Sequence, residues 1–169
     1  MPQREWLEDM ICFVDRSEIT SPMIAAVHET WVGIRGARSF PARSEIDPIA
    51  FRNWLPYLSL TDFATDPFRV HYRLIGTEVA RFAAEDFSHK WLDETGWPPQ
   101  IIELNRKLYG RLWESRAPLF GLSLVDWDRR ENYSFEWGLF PLSDDGAHVT
   151  GCLAVDDFAT IAGRSHMLR

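Results

Sequence analysis

The stretch 68–94, FRVHYRLIGTEVARFAAEDFSHKWLDE, constrains the fold of this chain more than any other. Val70, Tyr72 and Leu74 alternate with Arg69, His71 and Arg73, the period of two expected of a strand with one buried face. Gly76 ends that strand. Val79 and Phe82 then sit at helical spacing, whereas Phe87, Trp91 and Leu92 recur too irregularly for one long helix. A strand running directly into several short helical turns predicts that the turns wrap a cavity.

At 169 residues and 46% hydrophobic content the chain can bury one core but is short for two. Its formal net charge of −7 opposes a phosphate backbone or an anionic membrane as partner, and Arg129-Arg130 is an isolated basic pair in a turn. We therefore expect neither nucleic acid nor membrane. Cys12 and Cys152, the two cysteines, offer no disulfide framework and no four-ligand zinc site, which suits a reducing cytoplasm. The N-terminus MPQREWLEDM lacks the apolar segment of an export signal, and no apolar run reaches the roughly 18 residues of a membrane span. Eight Trp, eleven Phe and four Tyr make aromatic content the compositional outlier, and such rings line either cores or ligand cavities.

Residues 1 to 20 carry mixed charge around Met10-Ile11-Cys12-Phe13-Val14, which reads as a helix or a docking segment. Ser21-Pro22 has the form of an N-cap followed by proline at the first helical position. Ile24, Val27, Trp31 and Ile34 then form one apolar stripe on a helix ending near Gly36. That stripe must cover its own sheet or meet a second copy, so these four residues are the candidates for a dimer interface. Strands are predicted from Leu55 to Phe63 and Phe68 to Ile75, with an Asp66-Pro67 turn between them. A long helix should start at Trp97-Pro98-Pro99, with Ile101, Leu104, Leu108 and Leu112 on one face, and stop at Pro118. Three strands follow, Leu119 to Trp127, Tyr133 to Leu142 and Val149 to Asp156, joined by turns at 128–132 and 143–148. The fold class is α+β: a five-stranded antiparallel sheet with short helices and one long helix on one face, plus an N-terminal helical extension. We divide it as 1–39 for that extension, 40–158 for the sheet domain and 159–169 for a loose tail.

These residues resemble the PAS domains, and specifically a stand-alone PAS family of alphaproteobacteria. The resemblance spans roughly 40–158 and is carried by Pro41 with Arg43, Asp47-Pro48, Leu55-Pro56, Tyr72-Arg73-Leu74-Ile75-Gly76-Thr77, Pro141-Leu142-Ser143 and Asp145-Gly146. It implies a sensing fold, commonly dimeric, with a pocket between the sheet and the short helices, and it names no ligand. Family members often carry glycine near positions 84 and 89, where this chain has Ala84 and His89. His89 therefore has two readings. It completes a turn at positive φ, where histidine is among the less costly non-glycine residues, or it stands at the pocket mouth as a polar group that changes charge near neutral pH.

Strand parity supplies the remaining pocket candidates. Tyr133, Phe135, Trp137 and Leu139 share one face of their strand and Glu136 and Gly138 the other, so the aromatic row should look inward. It would meet Leu104 and Leu108 of the long helix and Trp91 of a short one. With Tyr72, Leu74 and His89, the ligand-pocket candidates are thus Tyr72, Leu74, His89, Trp91, Leu104, Leu108, Tyr133, Phe135 and Trp137. On Leu119 to Trp127 both parities are apolar, and the inward face is not assigned.

Catalytic patterns are absent from the sequence. His28, His71, His89, His148 and His166 are scattered singly, so no metal site is expected. Haem-binding PAS domains generally take a histidine from the long helix, and residues 99–115 contain none, leaving His89 as the one substitute. Flavin adduct photochemistry needs a cysteine near residues 86–93, where none stands; plain flavin binding stays open. Lys90 and Lys107 lie in no phosphate loop, Gly121-Leu122-Ser123 lies in a strand rather than a nucleophile turn, and the acid pairs Glu85-Asp86, Asp93-Glu94, Asp144-Asp145 and Asp156-Asp157 read as solvated turns. The expected function is a non-enzymatic sensory or regulatory module that binds a small molecule, or signals as a homodimer, to a separate partner protein. The alternatives are a ligand-free dimerisation adaptor and a small α+β cone-type enzyme, although cone folds usually gather their long helices before the sheet.

Overall fold

The computed structural model describes residues 5–126 and 132–159, the side chains of 125, 126, 132 and 133 excepted. Its strands are β1 (Glu5–Leu7), β2 (Ile11–Val14), β3 (Leu58–Ala64), β4 (Arg69–Ile75), β5 (Leu119–Asp126), β6 (Asn132–Leu142) and β7 (Gly151–Asp157). They form one antiparallel sheet in the order β1-β2-β5-β6-β7-β3-β4. Three helices, α1 (Pro22–Arg35), α2 (Thr77–Ala83) and α3 (Pro99–Ser115), complete the α+β fold together with short 3-10 turns.

The five expected strands are all present, and the sheet gains two more. Residues expected to be helical or a docking segment form the β1–β2 hairpin, and β2 pairs with β5 through Cys12↔Leu122 and Phe13↔Gly121. Glu8 and Asp9 make the turn, both with positive φ (51° and 55°), and the Met10 N–H closes it onto the Leu7 carbonyl at 3.1 Å. Such primed turns usually carry Asn-Gly, so Glu-Asp leaves no signature of a hairpin in the sequence. Ion pairs from Arg111 to Glu5 and from Lys107 to Glu8 fasten the hairpin to α3.

The sheet is covered on both faces. On the outer face α1 lays Ile24, Val27 and Trp31, at 0%, 0% and 1% exposure, against Phe120, Phe140, Leu142, Leu153 and Val155. Ile34 packs partly buried against the same cluster. The helix therefore covers its own sheet, and three of the four dimer-interface candidates, Ile24, Val27 and Trp31, are enclosed within one chain while Ile34 is half-buried. Ser21 caps α1 by accepting from the Ile24 N–H at 3.2 Å, with Pro22 at the first helical position. The Trp31 indole donates to the Pro141 carbonyl at 3.1 Å, which removes the cost of burying its N–H.

A carboxylate anchors this layer. Glu136, fully buried on the outer side of β6, accepts from the Ser21 N–H (2.7 Å), the Thr20 N–H (2.9 Å) and the Thr20 hydroxyl (3.3 Å). The Ser21 hydroxyl donates to Asp157, opposite Glu136 on β7, at 2.5 Å. Buried charge persists only where hydrogen bonds replace the lost water, and these bonds fix the entry of α1 onto the sheet.

The inner face is covered by α2, α3 and the turn Leu92–Glu94, around Val70, Tyr72, Ile75, Val79, Phe87, Leu104, Leu108, Tyr109, Phe135 and Trp137. Gly76, at the junction of β4 and α2, is required by close approach. A Cβ there would stand 2.4 Å from the carbonyl oxygens of Leu55 and Pro56.

Candidate functional site

Between the inner sheet face and the helices lies a cavity of about 580 Å³. β6 and β7 build its floor. Alternation puts Phe135, Trp137 and Leu139 inward on β6 and Ala154 and Asp156 inward on β7, with Glu136, Gly138 and Asp157 on the other side. On β5 the inward position beside Trp137 is Gly121. A Cβ there would lie 2.2 Å from the indole Cζ2, so glycine lets the ring lie across the strand. Phe13 of β2 meets Trp137 edge-on at 5.9 Å, which makes the hairpin part of the same wall. The Trp137 residue is 2% exposed, yet its indole N–H has no hydrogen-bond partner among the described residues.

The opposite wall is aromatic. Phe87 meets Tyr72 and Trp97 edge-on, at centroid distances of 4.7 Å and 4.8 Å, and Tyr72 and Trp97 lie tilted to one another at 6.1 Å. Tyr109 of α3 meets Tyr72 edge-on at 6.2 Å, and burial pushes both phenols above their ordinary pKa. Phe82 and Phe158 stack at 4.4 Å beside Phe135. Met10, Ile11, Ile101, Leu104 and Leu108 complete the apolar surface, while Ser59, Asn105, Ser123 and Asp156 supply polar groups. Burial also raises the Asp156 carboxyl, to about 7, and no hydrogen bond or ion pair reaches that side chain from the described residues.

Five of the candidate pocket residues lie together on this wall: Tyr72, Leu104, Leu108, Phe135 and Trp137. Three others do not. Leu74 is 50% exposed because β4 carries a bulge: Leu60 pairs with Leu74 but Thr61 with Tyr72, so Arg73 is an extra residue and the alternation slips. Ile75 takes the inward place. His89 is exposed with φ +65°, and it belongs to the segment that closes the free edge of β4. Its N–H donates to the Tyr72 carbonyl at 2.6 Å, while the Lys90 carbonyl accepts from the Tyr72 N–H at 2.9 Å. Trp91 continues that edge strip through its bridge to His71, and Arg69 covers its ring at 4.1 Å, away from the cavity. The Tyr133 side chain lies outside the described residues, as do His166 and residues 128–131 of the turn expected at 128–132.

Sequence reasoning missed Phe87, Trp97, Tyr109 and Asp156. The first two stand in irregular turns, where no period assigns a face. Asp156 was legible: Cys152, Ala154 and Asp156 share one parity of β7 and Leu153, Val155 and Asp157 the other. The pair Asp156-Asp157 is accordingly no solvated turn. Its two carboxyls lie in a strand and face opposite layers of the protein.

Metal-ligating groups do not gather. Among the described residues no three of His, Cys, Asp and Glu are placed to hold an ion, and His28 instead stacks on Phe140 at 5.5 Å in the outer layer. Cys152 is buried, which raises its thiol pKa and disfavours the reactive thiolate. Among the described residues no helix is long and apolar enough to cross a membrane.

A family model for the PAS domain matches residues 19–154, most of the chain. No curated protein and no solved structure matches it.

Proposed function

The chain belongs to the PAS domain family, and from that premise we propose that it is a non-enzymatic sensory or regulatory module whose signal is a small molecule held in the inner cavity. The observation that carries this reading is a cavity of about 580 Å³ whose wall includes a buried indole N–H without a partner. A packed core leaves few such donors, because an unmade buried hydrogen bond costs about 1–3 kcal/mol. A polar group on a ligand would satisfy it.

The cavity also offers a route for output. Met10 and Ile11 line it, and the hairpin that carries them is tied to α3 by the Glu5–Arg111 and Glu8–Lys107 pairs. Occupancy would thus bear on the sheet edge at β1–β2, a surface from which a separate partner protein can read it. A homodimer of this chain would use a surface other than Ile24, Val27 and Trp31, which its own sheet encloses.

Native mass spectrometry of protein purified without denaturation tests the reading. A retained non-protein mass that is lost on denaturation supports it. An empty protein that no small molecule stabilises against heat would instead indicate a ligand-free adaptor.

A further inference from the structure

Among the described residues, the cavity wall carries one carboxyl and no basic side chain. Asp156 lies inward on β7 beside Trp137 of β6, and no hydrogen bond or ion pair joins its side chain to the described residues. Around it stand the rings of Tyr72, Phe87, Trp97, Phe135 and Trp137. We propose that the cavity takes an organic cation, an ammonium carrying apolar substituents, whose charge is matched by the Asp156 carboxylate and by the faces of the surrounding rings. This rests on the reading of the cavity as a ligand site.

Charge and shape both favour that class. An anionic ligand would meet the carboxylate at short range, with no basic side chain among the described lining residues to offset it. A neutral apolar ligand would fill the space but leave the carboxylate unmatched, whereas an ammonium both restores the lost solvation and gains from the ring quadrupoles. The other ionisable groups facing Asp156 are Tyr72 of β4, Tyr109 of α3 and Cys152 on its own strand, all with pKa values raised by burial and so neutral at pH 7. The hairpin, α2, β3 and β5 contribute no titratable lining group. Asp156 is therefore the group on this wall whose charge changes between pH 5 and 8. Its pKa of about 7 in the empty cavity means that a permanent cation should bind more tightly as pH rises and level off above about 8.

The test compares benzyltrimethylammonium with its neutral carbon isostere neopentylbenzene, by calorimetry and tryptophan fluorescence, on the wild type and on Asp156→Asn. The ammonium should bind at least about tenfold more tightly than the isostere, with the preference growing from pH 5.5 to 8. In Asp156→Asn the preference should fall and lose its pH dependence while affinity for the isostere is retained, which also shows that the variant is folded. Equal or tighter binding of the isostere to the wild type, or a preference undiminished in Asp156→Asn, overturns the cation assignment and leaves the ligand cavity standing. If neither compound binds, the cavity reading and the cation assignment fail together.

Discussion

Asp156 stands directly across the β6–β7 ladder from Trp137, so the carboxylate on the cavity wall and the unpartnered indole N–H share the inner face of the sheet. Residues so paired have Cβ atoms about 5 Å apart, close enough for one ligand group to meet both. The same ladder places Glu136 opposite Asp157 on the outer face, where both are hydrogen-bonded to the start of α1. Two neighbouring acids of one strand thus differ in role: Asp157 holds the fold together, and Asp156 faces an open space.

The pH dependence of stability follows from Asp156. Burial raises its folded pKa from 3.8 to about 7, so between those values the folded chain keeps a proton that the unfolded chain has lost. Its contribution is fully present below about pH 4 and declines as pH rises towards 7. Asp156→Asn should therefore match the wild type at pH 4 and exceed it at pH 8, by at most about 4 kcal/mol at 1.4 kcal/mol per pKa unit. Urea unfolding of both proteins at the two pH values measures the difference.

Glu136→Gln should destabilise the fold at neutral pH. The carboxylate accepts three hydrogen bonds from Thr20 and Ser21, and a glutamine amide would turn an NH₂ towards donors at one of its two oxygen positions. A loss of about 2–3 kcal/mol is expected, read from the urea midpoint at unchanged slope.

Trp31→Ala tests the outer layer. The ring is buried against Phe140 and held by the Pro141 carbonyl, so its removal should cost about 3–5 kcal/mol. Since the side chain is enclosed within one chain, the elution volume of the folded variant on size-exclusion chromatography should equal that of the wild type.

What the sequence disclosed follows from how regular each segment is. Ser21-Pro22 and the stripe Ile24, Val27, Trp31 announce α1 because cap, proline and period agree, and β6 declares its faces by alternating rings with Glu136 and Gly138. The stripe does not say what it covers, since an outer sheet face and a second copy present the same apolar demand. Leu74 was misplaced by one bulged residue, which no period records. Trp91 was misplaced because an edge strip held by backbone bonds has no side-chain signature. The β1–β2 hairpin has no signature in the sequence because Glu8-Asp9, both at positive φ, lack the glycine that marks such a turn.

The departures from glycine at 84 and 89 make a further prediction. Both residues occupy the left-handed region, at φ 60° and 65°, where an L side chain is penalised and glycine is not. Ala84→Gly and His89→Gly should each stabilise the protein by about 0.5–1 kcal/mol after glycine's added chain entropy is counted. Thermal unfolding of the two variants measures this, and a drop in melting temperature for His89→Gly would show that the imidazole makes contacts of its own.

The most direct test of the ligand cavity is a two-dimensional NMR titration of the labelled protein against a library of small molecules. Binding in the cavity predicts saturable shifts of the Trp137 indole N–H and of the Leu108 and Phe135 amides, with the Trp31 indole N–H in the outer layer unmoved. A Trp137 resonance that no compound shifts, or shifts confined to the Trp31 layer, would contradict a ligand-binding role for the inner cavity.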